Sequence, residues 1–197
     1  MDLFISKDIL DLLSYRSTLG QSLKQISLSA TPISIILNDI AKYRAGYIDT
    51  LVQENLIGSR FKSEDSIMRK YEKTIANHGG FKQCFNDVLE FRLRFDEYPN
   101  SYPDYFRVVD LRNGKRVDDG YRAIHLYYQR DNFAYPIEVQ LWCGKDYYFN
   151  LWSHQYVYKY KSPEIGQKLY QEYNAGMIKT EQEFLMRLQE LEADTNG

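Results

Sequence analysis

Two carboxylates stand where strands are expected to deliver them: Asp87 at the mouth of the alternating run LEFRLRF, and Glu138 inside IEVQLW. Alternation puts Glu138 and Gln140 opposite Ile137, Val139 and Leu141, so a carboxylate and an amide leave the apolar layer. Two carboxylates from neighbouring strands can hold a divalent ion between nucleotide phosphates, because magnesium prefers oxygen ligands and keeps several waters. One of them can also take a proton. For an isolated pair, the plainer reading comes first: Asp87 caps a turn and Glu138 lies on a solvated sheet face. Arg60, Lys62, Arg69 and Lys70 cluster around the start of a helical pattern, where they suit phosphates or simply form a solvated face. Tyr121 and Arg122 directly follow Gly120, a ring and a guanidinium at a strand entrance where a base can stack and a phosphate can be held. An ordinary core or edge tyrosine is the alternative. Cys143, beside Trp142, reads as a small buried residue rather than a nucleophile.

The elements that must position these residues follow from periodicity. Residues 5 to about 29 have helical spacing. Thr31-Pro32 reads as the cap and first position of a second helix running to about Leu56. After a break at IGSRFKSED, Ser63 and Ser66 open a third helix that stops at Gly79-Gly80. The period then changes to two at Leu89, Phe91, Leu93 and Phe95. FRVVDLRNGKRV predicts a strand pair around Asn113-Gly114, and GYRAIHLYYQRDNFAYPIEVQLW predicts two more strands. Helical spacing returns over 145–160 and over one helix at 163–192. Helices, then a sheet, then helices predict an α+β fold, a mixed, mostly antiparallel sheet with N- and C-terminal helices packed on it. The chain of 197 residues is expected to form one domain: N-terminal helices at 1–57, a core at 58–160 and a C-terminal helix at 161–197.

Composition excludes several classes. Hydrophobic content of 44% with 26% charged residues is that of a globular chain. Two cysteines without a CxxC pair suggest neither a disulfide framework nor structural zinc, and they fit a reducing cytoplasm. No run is apolar enough to span a membrane. Net charge is −2, against nonspecific coating of nucleic acid. The last seventeen residues hold five acids and one arginine; taking these from the totals of 27 and 25 leaves 22 acidic and 24 basic residues before them. The eighteen tyrosines are either packing material or a stacking surface.

SRFKSEDSIMRKY, NDVLEFRLRF, GYRAIH, YPIEVQ and HQYVYK, spread over residues 58 to 160, together resemble the motifs of the RelA/SpoT-type synthetase domain, a nucleotidyltransferase-like fold. The resemblance implies transfer of pyrophosphate from ATP to a ribose hydroxyl, with magnesium as cofactor. It implies that Asp87 binds the metal, and that Glu138 assists the metal or takes the hydroxyl proton. Arg60, Lys62 and Lys70 would bind ATP phosphates. Tyr121 would stack on the acceptor's base, while Arg122, Gln140, His154 and Lys159 line or support its pocket. Such chemistry needs in-line positioning and charge neutralisation more than covalent help.

The sequence departs from the common guanosine-using members. Only 33 positions separate Asp87 from Gly120, Leu141-Trp142-Cys143 stands where Ile-Arg-Thr is usual, and Ser153 replaces a glutamate. DYYFNLWSHQYVYK, with Asp146, Asn150, Trp152 and His154, is similar to the toxic small alarmone synthetases of toxin–antitoxin systems. That likeness implies the 3′ CCA adenosine of uncharged tRNA as acceptor, a separate antitoxin as partner and inhibition of translation. A guanosine or adenosine nucleotide as acceptor, giving an alarmone, is the alternative. Arg107, Arg112, Lys115 and Arg116 would touch the acceptor stem or form a solvated hairpin. With three histidines, scattered at 78, 125 and 154, no hydrolase signature is seen.

Overall fold

A computed structural model describes residues 4–48, 54–158 and 160–196. Its elements in chain order are α1 (Lys7–Leu13), α2 (Ile33–Gly46), β1 (Leu56–Phe61), α3 (Glu64–Ala76), α4 (Phe81–Cys84), β2 (Leu89–Phe95), β3 (Arg107–Asp110), β4 (Ile124–Tyr128), β5 (Ile137–Cys143), α5 (Gly144–Tyr156), α6 (Pro163–Asn174) and α7 (Glu181–Asn196). The strands form one mixed sheet in the order β1-β2-β5-β4-β3, which makes the fold α+β as expected. The chain divides into two compact units. The first comprises residues 1–93, 99–108 and 125–140; the second comprises 94–98, 109–124 and 141–197.

In the first unit, helix α1 is capped by Ser6, whose hydroxyl accepts the Ile9 N–H at 3.4 Å. It ends at Leu13 rather than continuing towards residue 29. The Ser/Thr/Gly-rich SYRSTLGQS that follows carries Gly20 at φ +78° and bonds to a distant loop instead: Ser17 N–H to Phe133 O at 2.9 Å, Leu23 N–H to Asn132 O at 2.8 Å. Helical spacing was therefore misleading here, because Leu23, Ile26 and Leu28 are buried from irregular backbone. Helix α2 ends at Gly46, short of Leu56, with Tyr47 already extended. LIGSRF, expected as part of a break, is strand β1. Its residues do not alternate cleanly, and antiparallel pairing with β2 makes it a strand, with a bulge between Leu56 and Gly58.

Aromatic residues fill much of this unit. Phe81 and Phe85 lie 4.6 Å apart, and Tyr15 stacks on Tyr43 at 4.9 Å. Tyr128 is buried with Ile124 and Leu126 and donates to Asp11, so its parity leads into the apolar layer. Asp39 sits inside the same unit and accepts from Ser17 Oγ (2.6 Å), Thr18 Oγ1 (2.7 Å), Thr18 N–H (2.9 Å), Tyr135 Oη (3.0 Å) and Tyr15 Oη (3.1 Å).

The second unit holds the C-terminal helices. Phe149, Trp152, Leu169, Phe184, Leu188 and Leu191 form its apolar cluster. The single helix expected over 163–192 is two, because the chain turns at Ala175-Gly176, where Gly176 takes φ +77°. Thr180 Oγ1 accepts the Glu183 N–H, and the Glu183 carboxylate accepts from the Thr180 N–H at 3.1 Å, a capping box that restarts the helix. Arg187 then forks onto Glu172 at 2.7 and 2.9 Å, tying α7 to α6. The expected strand pair around Asn113-Gly114 keeps its turn, with Gly114 at φ +91°, but only β3 forms. Beyond the turn, Asp118 and Asp119 accept the N–H groups of Gly120 and Tyr121, which holds the backbone in turns instead of a ladder.

Burial raises the pKa of Asp39, but the hydrogen bonds from Ser17, Thr18 and Tyr135 outweigh burial and hold the carboxyl below the usual aspartate value. A lowered folded-state value means that this stabilisation is complete above the unfolded value and is lost as pH falls through the folded one. Asp39→Ala is expected to lower stability in urea by about 1–3 kcal/mol at neutral pH, since buried donors lose their acceptor. Asp39→Asn is expected to flatten the decline in stability below about pH 4; an unchanged acid limb would contradict this role.

Candidate active site

Parity along β2 sends Glu90 and Arg92 to the face opposite Leu89, Phe91 and Leu93, and the β1–β2 register sets Arg60 directly across from Glu90. Arg60 Nη2 donates to Glu90 Oε2 at 2.8 Å, and Arg92 Nη2 lies 2.7 Å from Oε1. A carboxylate with only 3% of its side chain exposed is thus shared by two guanidiniums. Arg60 remains 43% exposed and reaches outward from this anchor. Burial lowers its pKa, yet Glu90, then Asp87 and Glu138, outweigh that and raise it.

Asp87 precedes β2. The Lys62 N–H donates to Val88 O at 2.9 Å, which brings the end of β1 against the same corner. Lys62 Nζ donates to Asp87 Oδ2, and Lys70 Nζ, from the middle of α3, donates to Oδ1 at 2.9 Å and to Asn86 Oδ1 at 2.6 Å. Asp87 is half-buried, so each oxygen is met by an ammonium with partial access to water.

Glu138 on β5 is 4% exposed, so its sheet face is covered rather than solvated. Its Oε1 accepts from Tyr127 Oη at 2.6 Å and lies 2.9 Å from His125 Nδ1, and its Oε2 accepts from Gln140 Nε2 at 3.0 Å. Burial pushes its pKa up. His125, by hydrogen bond and charge, then Tyr127 and Gln140, overcome that and hold it down to about 2. Arg107 lies 4.4 Å over the Tyr127 ring. Asp87 and Glu138 both act on Arg60, and both raise the pKa of Tyr127. Among the described residues no cluster of three or more His, Cys, Asp or Glu could hold a metal. Magnesium needs no such cluster, since one or two carboxylates with substrate phosphates and water suffice. Asp87, whose present partners are two exchangeable ammoniums, fits that demand.

Of the residues singled out from sequence, Arg60, Lys62, Lys70, Asp87, Arg107, Glu138 and Gln140 belong to the first unit. Tyr121, Arg122, His154, Arg112, Lys115 and Arg116 belong to the second. Lys159 lies outside the described residues. Arg122 is buried: its guanidinium forks onto Asp118 at 2.7 and 2.9 Å and lies 4.2 Å over the Tyr170 ring. Asn150 clasps the Arg122 backbone, Nδ2 to O at 2.6 Å and N–H to Oδ1 at 3.3 Å. Gly120 takes φ +82°, and a Cβ there would meet the Gly166 carbonyl at 2.5 Å, so only glycine permits this approach to α6. Asp146 accepts from Tyr98 at 3.1 Å and Tyr170 at 3.0 Å, Trp152 joins the apolar cluster, and His154 stacks on Tyr158 at 5.7 Å. Arg112 is hooked onto Asp110 and Lys115 onto Asp119.

Sequence reasoning did not place Glu90, Arg92, His125 and Tyr127 in the candidate site. Alternation carried the signal, because Glu90 and Arg92 share one face of LEFRLRF, and His125 and Tyr127 share one face of IHLYY.

No protein-family model matches the chain, and no curated protein matches it. Among solved structures, the small alarmone synthetase 1 of Bacillus subtilis bound to its product pppGpp is similar, with 16% identity over 84% of this chain and 91% of that one, at a TM-score of 0.43. A second structure of that synthetase is 15% identical over 83% of each chain, at 0.37. A GTP pyrophosphokinase family protein of Streptococcus pneumoniae is 18% identical over 74% of this chain and 83% of that one, also at 0.37. At such identities and scores, none of these likenesses bears on what this chain does.

Removing Glu90 would leave two guanidiniums facing each other without their carboxylate. Glu90→Ala is expected to lose about 3–5 kcal/mol in urea denaturation at neutral pH, as breaking a buried pair does. A loss under about 1 kcal/mol, the range of exposed pairs, would mean that Glu90 is not the anchor of Arg60 and Arg92.

Proposed function

We propose that the chain transfers the β,γ-pyrophosphoryl group of ATP to the ribose 3′-hydroxyl of a nucleotide. One observation carries this reading: Asp87 is shared by Lys62 and Lys70, and Glu90 by Arg60 and Arg92, so four cations meet on two carboxylates at the end of β1 and the start of β2. The surplus is positive, as a polyphosphate requires, and the motif resemblance assigns Arg60, Lys62 and Lys70 to the phosphates.

Asp87 would hold magnesium, which when bound supplies charge neutralisation between the phosphates. Lys62 and Lys70 would then move from Asp87 onto phosphate oxygens, and Arg60, steadied by Glu90, would join them. The acceptor 3′-oxygen attacks the β-phosphorus, the bond from that phosphorus to the α–β bridging oxygen breaks, and AMP leaves. The hydroxyl proton would go to Nε2 of His125 in its neutral form, whose Nδ1–H the Glu138 carboxylate holds at 2.9 Å. The motif resemblance gives Tyr121 the acceptor's base to stack on, and Arg122, held by Asp118, supports the Tyr121 loop.

A free nucleotide comes before the tRNA 3′ end as acceptor. Of the four basic residues offered for tRNA, Arg107 lies over Tyr127, while Arg112 and Lys115 are neutralised by Asp110 and Asp119. Arg112 and Lys115 with their carboxylates thus add no net charge for a phosphate backbone to meet.

The test is transfer of label from γ-labelled ATP with magnesium to GDP, GTP, AMP, ATP or deacylated tRNA, offered separately. Label on a nucleotide is expected. Label on tRNA alone would restore the toxin reading and its separate antitoxin, and label on none would refute pyrophosphotransfer. Glu138→Gln is expected to lower the rate at least about 100-fold with the circular dichroism unchanged; full activity would remove Glu138 from the mechanism.

A further inference from the structure

Trp142 is 2% exposed, yet its indole N–H leaves the apolar packing and donates to the Tyr121 hydroxyl at 3.1 Å. The two rings meet edge-on, 6.4 Å apart at 76°. The Lys115 ammonium lies 4.5 Å from the centre of the Tyr121 ring and is itself held by Asp119 at 2.7 Å. Beneath the ring the backbone is fixed by the close approach of Gly120 to Gly166 and by the Asn150 clasp on Arg122. Tyr121 is thus restrained at its hydroxyl, its face and its root, although a tyrosine in a loop ordinarily turns about its side-chain bonds.

A buried indole N–H needs an acceptor, and a backbone carbonyl is the common one. Here the acceptor is the far end of a half-buried tyrosine, so one hydrogen bond both satisfies the core and aims the ring.

We propose that Trp142 is a positioning residue for Tyr121, holding its ring as a preset platform for the purine of the acceptor nucleotide. This rests on the function proposed above. A ring already held in its binding pose loses less freedom when a base stacks on it, so the gain appears in acceptor affinity and not in ATP affinity.

Calorimetric titration of the full chain with GDP, and separately with a non-hydrolysable ATP analogue, tests this in four proteins: wild type, Trp142→Phe, Tyr121→Phe and the double variant. Trp142→Phe removes the donor while keeping an aromatic ring in the core. Tyr121→Phe removes the acceptor of the same bond without touching the core, and so decides the matter if Trp142→Phe fails to fold. Each single variant is expected to bind GDP about three- to tenfold more weakly and the ATP analogue unchanged, with the double variant no weaker than the worse single one. Wild-type GDP affinity in Tyr121→Phe, or additive losses in the double variant, would overturn the positioning role while leaving pyrophosphotransfer standing. A wild-type protein that binds neither nucleotide and transfers no label would overturn both.

Discussion

Asp87 accepts from two lysines that come from different elements, Lys62 just beyond β1 and Lys70 in the middle of α3. These two ion pairs draw a strand end, a helix and the mouth of β2 to one corner, and the rest of the candidate donor site is arranged around it. Neighbouring Glu90 repeats the device with two guanidiniums. In each case an acid is kept largely off bulk water by two cations, and on the function proposed above these are the cations that a polyphosphate would claim.

Each buried acid is compensated differently, and the differences sort their roles. Glu138 meets His125, Tyr127 and Gln140 and stays ionised. Asp39 meets hydroxyls and a backbone N–H and is held below the ordinary aspartate value. Asp146 has two phenols, and for it burial wins, raising its pKa. This answers what the eighteen tyrosines are for in part: Tyr15, Tyr98, Tyr127, Tyr128, Tyr135 and Tyr170 each pack an aromatic body and spend the hydroxyl on a carboxylate. None of these six needs to be a stacking surface.

The α+β order and strands β2, β4 and β5 were legible because two-residue alternation is a local signal. Strand β1 was not, since Gly58 and Ser59 break the alternation and only pairing with β2 makes the segment extended. The long helix expected from Ile5 failed because serine, threonine and glycine favour local side-chain bonds over helix, and the apolar residues among them are buried without it. The two C-terminal helices read as one because their apolar spacing continues through Gly176. Asp87 and Glu138 could be singled out as carboxylates on strands, but Glu90 could not be told from solvated face until the register set it against Arg60. Likewise Asn150 and Asp146, quoted as part of a motif, owe their meaning to contacts with Arg122, Tyr98 and Tyr170 that spacing does not reveal.

The most direct test of the account is whether magnesium and the two lysines compete for Asp87. The affinity of a non-hydrolysable ATP analogue would be measured with and without magnesium, in the wild type and in Asp87→Asn. Magnesium is expected to strengthen binding in the wild type, and Asp87→Asn to lose this dependence while binding the metal-free analogue at least as well, its lysines having been released. The same magnesium dependence in both proteins, or no binding of the analogue to the wild type, would contradict this.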